Sequence, residues 1–236
     1  MRFVQLGPLT LGLIPRVAIS FKDKISPQTL RNIQELDFDI AELRIDQYAC
    51  FDVAYVLAQV SQFKKFPSIA TIRSSREGGH WDLSEAKRLK LFRAVIPCVN
   101  AVDIELSSKT ILKEVIALAH KSHQLAIVSY HNFNKTPRIH QLNEIMKKAK
   151  SSGADIVKIA TRAFDSADVR TLADFTIKNS AKNLITIAMG AQGTLSRIFF
   201  PVLGSLVTYA SLGQATAPGQ LDTKTTAKLL KIFYPK

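Results

Sequence analysis

Short runs rich in Ile, Val and Ala recur at nearly even spacing along this chain, and the segments between them carry apolar residues at helical intervals. The runs fall at 16–20, 39–46, 67–73, 101–106, 124–131, 154–161, 184–190 and 206–211, which makes eight. Strict alternation of strand and helix predicts a parallel sheet, because parallel neighbours need long crossovers. Eight such strands favour closure into a (β/α)8 TIM barrel over an open doubly wound sheet. Length agrees: 236 residues divided by eight gives 29.5, about one strand, one helix and their loops. The units follow one another without a linker, so residues 1–236 are expected to form one α/β domain. No G-x-G-x-x-G follows the first strand to recommend a dinucleotide fold.

Local signals support the same division. Ser26-Pro27 places a capping hydroxyl before a first-turn proline, and Thr136-Pro137 repeats the device ahead of Ile139, Leu142, Ile145 and Met146. Asp82-x-x-Glu85 resembles a capping box, and Asp222 is placed to cap the closing helix. Ahead of the first strand, residues 3–5 and 9–13 flank Gly7-Pro8, a pattern that predicts a small N-terminal β-hairpin plugging one end of the barrel.

Composition narrows the class. With 47% hydrophobic and 22% charged residues the chain reads as an ordinary globular protein. The formal charge of +13 suits an anionic partner, yet no block of five basic residues occurs. The densest cluster, Lys147-Lys148-Ala149-Lys150, closes an amphipathic helical pattern, where cations complement the helix dipole. A solvated surface is therefore expected and nucleic-acid binding is not. Residues 198–221 carry no charge but contain Pro201, Gly204, Gly213, Pro218 and Gly219, which makes a poor membrane span. Gln5, Gly7 and Pro8 likewise interrupt the opening apolar run, so the N-terminus reads as mature protein. Cys50 and Cys98 lack metal or disulfide-framework spacing, which predicts free thiols in a reducing cytoplasm.

Barrel strands are covered on both faces and should be apolar throughout. Several here are not. In Asp39-Ile-Ala-Glu-Leu-Arg-Ile-Asp46, alternation sends Ala41, Leu43 and Ile45 toward the helices and Glu42, Arg44 and Asp46 toward the interior or its mouth. Ala101-Val-Asp-Ile-Glu-Leu106 does the same with Asp103 and Glu105. Buried charges need partners, so these residues form either a self-satisfied ion-pair core or a site. Strand three ends at Arg73, strand five at His131, and Lys158 interrupts Asp155-Ile-Val-Lys-Ile-Ala160. Enzymatic barrels gather chemistry at the carboxyl ends of their strands, which favours a site.

Lys158 is the most informative of these residues. Between Ile156, Val157, Ile159 and Ala160 it loses hydration, which predicts a lowered pKa and a free amine able to attack a carbonyl. The competing reading is an ammonium that merely pairs with Asp103 or Glu105. His131 lies one strand away, suited to move protons while an iminium draws electrons. His80, His120, His123 and His140 fall in surface patterns without metal-ligand spacing.

Taken together and in order, these motifs resemble type I 3-dehydroquinate dehydratase over essentially the full length. Glu42-Leu43-Arg44 is similar to the family's E-x-R pair, and Arg73 with Glu77-Gly78-Gly79 to its arginine and E-G-G turn. Ser129-Tyr-His131 is similar to the histidine segment and Asp155-Ile-Val-Lys158 to the lysine segment. Met189-Gly190 through Ser196-Arg197 resembles M-G-x-x-G-x-x-S-R, and Ala215-Thr-Ala-Pro-Gly-Gln220 resembles the closing loop S-A-P-G-Q. Thr216 departs from the usual serine, keeping the hydroxyl but adding a methyl that narrows its rotamers.

The resemblance implies a hydro-lyase of the shikimate pathway that converts 3-dehydroquinate to 3-dehydroshikimate. Lys158 would form the Schiff base, His131 would move protons and Glu77 would orient the imidazole. Glu42, Arg44, Arg73, Thr216 and Gln220 would contact substrate, and Arg197 would fork its carboxylate. It further implies a cytoplasmic homodimer that needs neither a metal nor an organic cofactor. A class I aldolase also needs a barrel lysine, and a basic binding module would suit the charge. Arg197 and the 215–220 loop favour a carboxylate-bearing polyol over a phosphosugar, and the absence of interleaved aromatic and basic residues disfavours the binding module.

Overall fold

A computed structural model describes residues 3–33, 36–213, 217 and 219–234. Two short strands, β1 (Val4–Leu6) and β2 (Leu9–Leu11), come first and pair antiparallel across Gly7-Pro8. There follow β3 (Arg16–Phe21), α1 (Pro27–Ile33), β4 (Ile40–Arg44), α2 (Val53–Ser61), β5 (Ser68–Thr71), α3 (Glu85–Val95), β6 (Ala101–Glu105) and α4 (Leu112–Lys121). The second half adds β7 (Leu125–Asn132), α5 (Ile139–Ser151), β8 (Ile156–Arg162), α6 (Ser166–Asn179), β9 (Leu184–Met189), α7 (Ser196–Val202), β10 (Val207–Ala210) and α8 (Thr223–Phe233).

All eight runs read from the sequence form strands of one parallel sheet, ordered β10-β3-β4-β5-β6-β7-β8-β9. Its two edges meet where the Leu206 N–H donates to the Leu184 carbonyl at 2.9 Å and the Thr186 N–H donates to Ser205 Oγ at 3.0 Å. The fold is therefore the expected (β/α)8 barrel.

Alternation divides each strand's side chains as predicted. Ala41, Leu43, Ile45, Val102 and Ile104 pack outward with Val56 and Val60 of α2, Leu91 and Phe92 of α3, and Val115 of α4. Ile40, Ile69, Ala101, Ile127, Ile156 and Ile185 face inward. Leu6 and Leu11 of the hairpin join that inner cluster, so the hairpin closes the amino-terminal end of the barrel. Gly7 has φ +57°, as a two-residue turn led by glycine requires.

Two helix starts differ from expectation. Ser26 and Asp222 cap α1 and α8 as read, each accepting from a backbone N–H at 3.0 Å. On α3, however, Ser84 is the cap and Asp82 lies outside the first turn. The Thr136 hydroxyl, three residues before α5, instead donates to the Arg162 carbonyl at 2.8 Å, while Gln141 Oε1 accepts the Arg138 N–H at 3.0 Å. A hydroxyl so far ahead of the helix is captured by the adjacent strand.

Candidate active site

A cavity of about 120 Å3 opens at the carboxyl ends of the barrel strands. Its wall brings together Glu42, Arg44, Arg73, Glu77, His131, Lys158, Arg197 and Gln220, eight of the nine residues selected from sequence. Thr216, the ninth, lies outside the described residues.

Lys158 points up from the middle of β8. Its Nζ donates to Asp103 Oδ2 at 2.9 Å, to the Tyr209 hydroxyl at 3.1 Å and to Glu42 Oε1 at 3.4 Å, and sits 4.3 Å from the Tyr209 ring centroid. These partners correct the expected charge state. Burial works to lower the lysine pKa, but Asp103 first, then Tyr209 and Glu42, outweigh it and hold the amine above its usual range. The resting group is an ammonium, and Glu105 is not among its partners.

The anionic partners are fixed from behind. Burial would raise the Asp103 carboxyl, yet Arg73 and Lys158 hold it far below the ordinary aspartate range. Arg73 Nη2 reaches Asp103 at 2.8 Å, and its Nη1 donates to Glu105 at 2.9 Å and to Ser129 Oγ at 2.6 Å. The Ser129 hydroxyl in turn donates to Asp103 at 2.6 Å. Glu42 accepts from Ser20 and Thr71, and Lys158 and Arg44 pull its carboxyl down against the effect of burial.

His131 and Glu77 form a second unit on the wall. Glu77 Oε2 accepts the His131 backbone N–H at 2.8 Å and lies 3.0 Å from its Nδ1, while Ser107 donates to Oε1. Burial, then Arg73 and Lys158, depress the imidazole pKa well below its ordinary value, so the ring is neutral. A neutral ring that donates Nδ1–H to Glu77 keeps its Nε2 lone pair. Burial also pushes the Glu77 carboxyl up to about 7, against Ser107 and Arg73. The E-G-G turn sets this geometry. Gly78 has φ +77° and a Cβ there would strike the Phe133 ring, while one on Gly79 would strike the Arg73 carbonyl.

Three cationic or amide groups complete the wall. Arg44 is clamped by Asp46 at 2.9 and 2.8 Å, and Asp46 also accepts the His80 N–H at 3.1 Å. Arg197, in the first turn of α7, is buried, which lowers its pKa to about 10. A guanidinium in so dry a position suits a planar anion. Gln220 Oε1 accepts the Ala217 N–H at 3.1 Å, which ties the side chain to its own loop.

Sequence reasoning placed Asp103 and Glu105 inside the barrel but selected neither for the site, and it passed over Tyr209, Ser129, Ser107 and Arg88. Tyr209 and Ser129 carry the same inward alternation as their neighbours on β10 and β7, a signal that could have found them. Arg88 carried none, because a basic residue on a helix ordinarily faces solvent.

Comparison with known proteins points to one family. The family model for type I 3-dehydroquinase matches residues 17–236. A 3-dehydroquinate dehydratase from Thermodesulfovibrio yellowstonii is 35% identical over 232 residues, covering 95% of this chain and 98% of its own. Among solved structures, the 3-dehydroquinate dehydratase of Geobacillus kaustophilus superposes with a TM-score of 0.91 at 29% identity, covering 100% of this chain and 98% of its own. A type I enzyme from Clostridium difficile, with covalently modified comenic acid, does so with a TM-score of 0.92 at 26% identity, covering 99% and 98%. Barrel, ordered motifs and full-length likeness together mean that this chain belongs to the type I 3-dehydroquinase family.

Proposed function

We propose that this protein dehydrates 3-dehydroquinate to 3-dehydroshikimate through a Schiff base on Lys158, within one catalytic domain. The observation that carries the reading is the lysine itself. It is buried at the base of a cavity, held by two carboxylates, with a neutral histidine on the neighbouring strand.

The chemistry follows from these charges. His131 takes a proton from the Lys158 ammonium, and the freed amine adds to the substrate ketone. The carbonyl oxygen leaves as water, its protons coming from the nitrogen by way of His131, and a cationic iminium remains. Asp103 and Glu42, which hold the ammonium, then hold an iminium of equal charge, so the site needs little rearrangement. His131 next removes the proton α to the iminium carbon, and the C–H electron pair forms an enamine. The enamine expels the β-hydroxyl, which takes that proton from His131 and departs as water. A second water hydrolyses the conjugated iminium and releases product and amine.

The other wall residues orient the ring. Arg197 forks the substrate carboxylate, Glu42, Arg44 and Gln220 meet hydroxyls, and Glu77 fixes the imidazole tautomer. Arg73, already bonded to Asp103, Glu105 and Ser129, acts on substrate chiefly through the carboxylate it holds. The covalently modified comenic acid of the Clostridium difficile relative accords with a bond-forming group in such a site. The reading extends to a biosynthetic role in the shikimate pathway, in the cytoplasm, without a metal or organic cofactor. It also extends to a homodimer, for which Leu195 at the cap of α7 and Phe199 and Val202 along it, exposed at helical spacing, offer an apolar face.

An ultraviolet assay tests the reaction, since the conjugated product absorbs and 3-dehydroquinate does not. Borohydride added with substrate should inactivate the enzyme irreversibly, and mass spectrometry should find the adduct on Lys158. An adduct on another lysine, or no absorbance change, would reject the proposal.

A further inference from the structure

Arg88 lies on α3, outside the strand layer, yet it is completely buried and is the largest side chain so enclosed. Its Nε donates to the Ile72 carbonyl at 2.7 Å and its Nη1 to Ser108 Oγ at 2.9 Å. Its Nη2 pairs with Glu105 Oε2 at 2.5 Å, and the other oxygen of that carboxylate holds Arg73. Arg88, Glu105, Arg73, Asp103 and Lys158 thus form an unbroken line of alternating charge from the outer helix to the lysine. With Glu42 the fully enclosed part of the cluster holds three cations and three anions, and Glu85, a fourth anion 3.3 Å from Arg88, stands at its partly exposed outer end. Arg88 is the member that balances the enclosed charges, and it touches no wall of the cavity.

We propose that Arg88 is a positioning residue for the dehydration, compensating Glu105 so that Arg73 stays on Asp103 and the negative charge of Glu105 is offset at the His131–Glu77 pair. The inference rests on the function proposed above. Around that pair stand Arg44 from β4, Arg73 beyond β5, Asp103 and Glu105 from β6 and Lys158 from β8, while Glu85 is the other anion beside Arg88. Glu105 already raises the Glu77 carboxyl, so stripping its compensation must raise it further.

The test is the pH profile of kcat/KM for 3-dehydroquinate, whose acid limb reports the free His131–Glu77 pair taking up a proton. The wild type should lose activity as pH falls through about 7. Arg88→Met should move that limb roughly half a unit to one unit to the alkaline side. Its kcat should fall about tenfold as Lys158 becomes harder to deprotonate. Glu105→Gln should move the limb the opposite way, and the double variant, neutral again, should return it to the wild-type position. Arg88→Lys, keeping charge without the fork, should leave the limb in place.

Should Arg88→Met fail to fold, Glu105→Gln decides alone, and an unmoved acid limb overturns the proposal. Limbs that do not shift in opposite directions, or lowered activity with an unmoved profile, overturn it too, because a merely structural role lowers activity without moving a pKa. Wild-type protein that does not turn over 3-dehydroquinate removes the proposed function and this inference with it, whereas wild-type turnover with unmoved variants removes this inference alone.

Discussion

The two ends of this barrel are built on opposite principles. At the amino-terminal end Leu6 and Leu11 of the hairpin meet Ile40, Ile69, Ala101, Ile127, Ile156 and Ile185, with no charge among them. At the carboxyl end Asp103, Glu105 and Arg88 are equally inaccessible and fully ionic. Burying each leucine stabilises the fold by about 2 kcal/mol. Buried ion pairs come near to cancelling their own desolvation, so the mouth adds little net stability while fixing charges in place. One end holds the fold together and the other holds a buried lysine among its counter-charges.

That division can be broken in order of expected effect. Lys158→Ala should abolish turnover and borohydride inactivation together, and measurable dehydration by this variant would take the nucleophile elsewhere. His131→Ala should reduce kcat on the order of 10²- to 10⁴-fold with the lysine still slowly trapped, as rapid-quench labelling would show.

The opposite end should answer in stability instead. Leu11→Ala should cost about 2–5 kcal/mol in chemical denaturation while the folded fraction keeps its kcat. A parallel loss of kcat would mean that the two ends are not separable.

The smallest effect mixes both properties at one residue. Glu77 has a folded pKa of about 7 against 4.5 unfolded, so its protonated form is the one the fold favours. The associated stability is full below pH 4.5 and is lost as pH rises through about 7. Glu77→Gln lacks that titration and should gain on the wild type across this window, by up to about 3 kcal/mol. Its kcat should fall, though less than that of His131→Ala. A stability difference independent of pH would show that the Glu77 carboxyl is not destabilised by its burial.

Much of this site was legible in advance because a strand has a period of two. Glu42, Arg44, Asp103 and Lys158 break apolar runs at inward positions, which made them conspicuous. Arg88 was invisible for the converse reason, since a helix carrying Lys87, Arg88, Lys90 and Arg93 looks the same whether one of them meets water or a buried carboxylate. Thr136 and Asp82 misled because capping depends on where the first turn falls, and a step of two or three residues hands the group to another partner. The charge state of Lys158 was misjudged because the sequence shows its apolar neighbours along the strand, whereas its carboxylate and phenol partners lie 51, 55 and 116 residues away.

The sequence by itself determined the alternation of eight strands and helices, the sealed apolar end, and which side chains face inward, because each of these follows from local periodicity. The tertiary structure alone decided which charges neutralise which. Coulomb interactions and desolvation depend on distance in space, and only closure of the sheet brings Glu42, Asp103, Lys158 and Tyr209 within hydrogen-bonding reach.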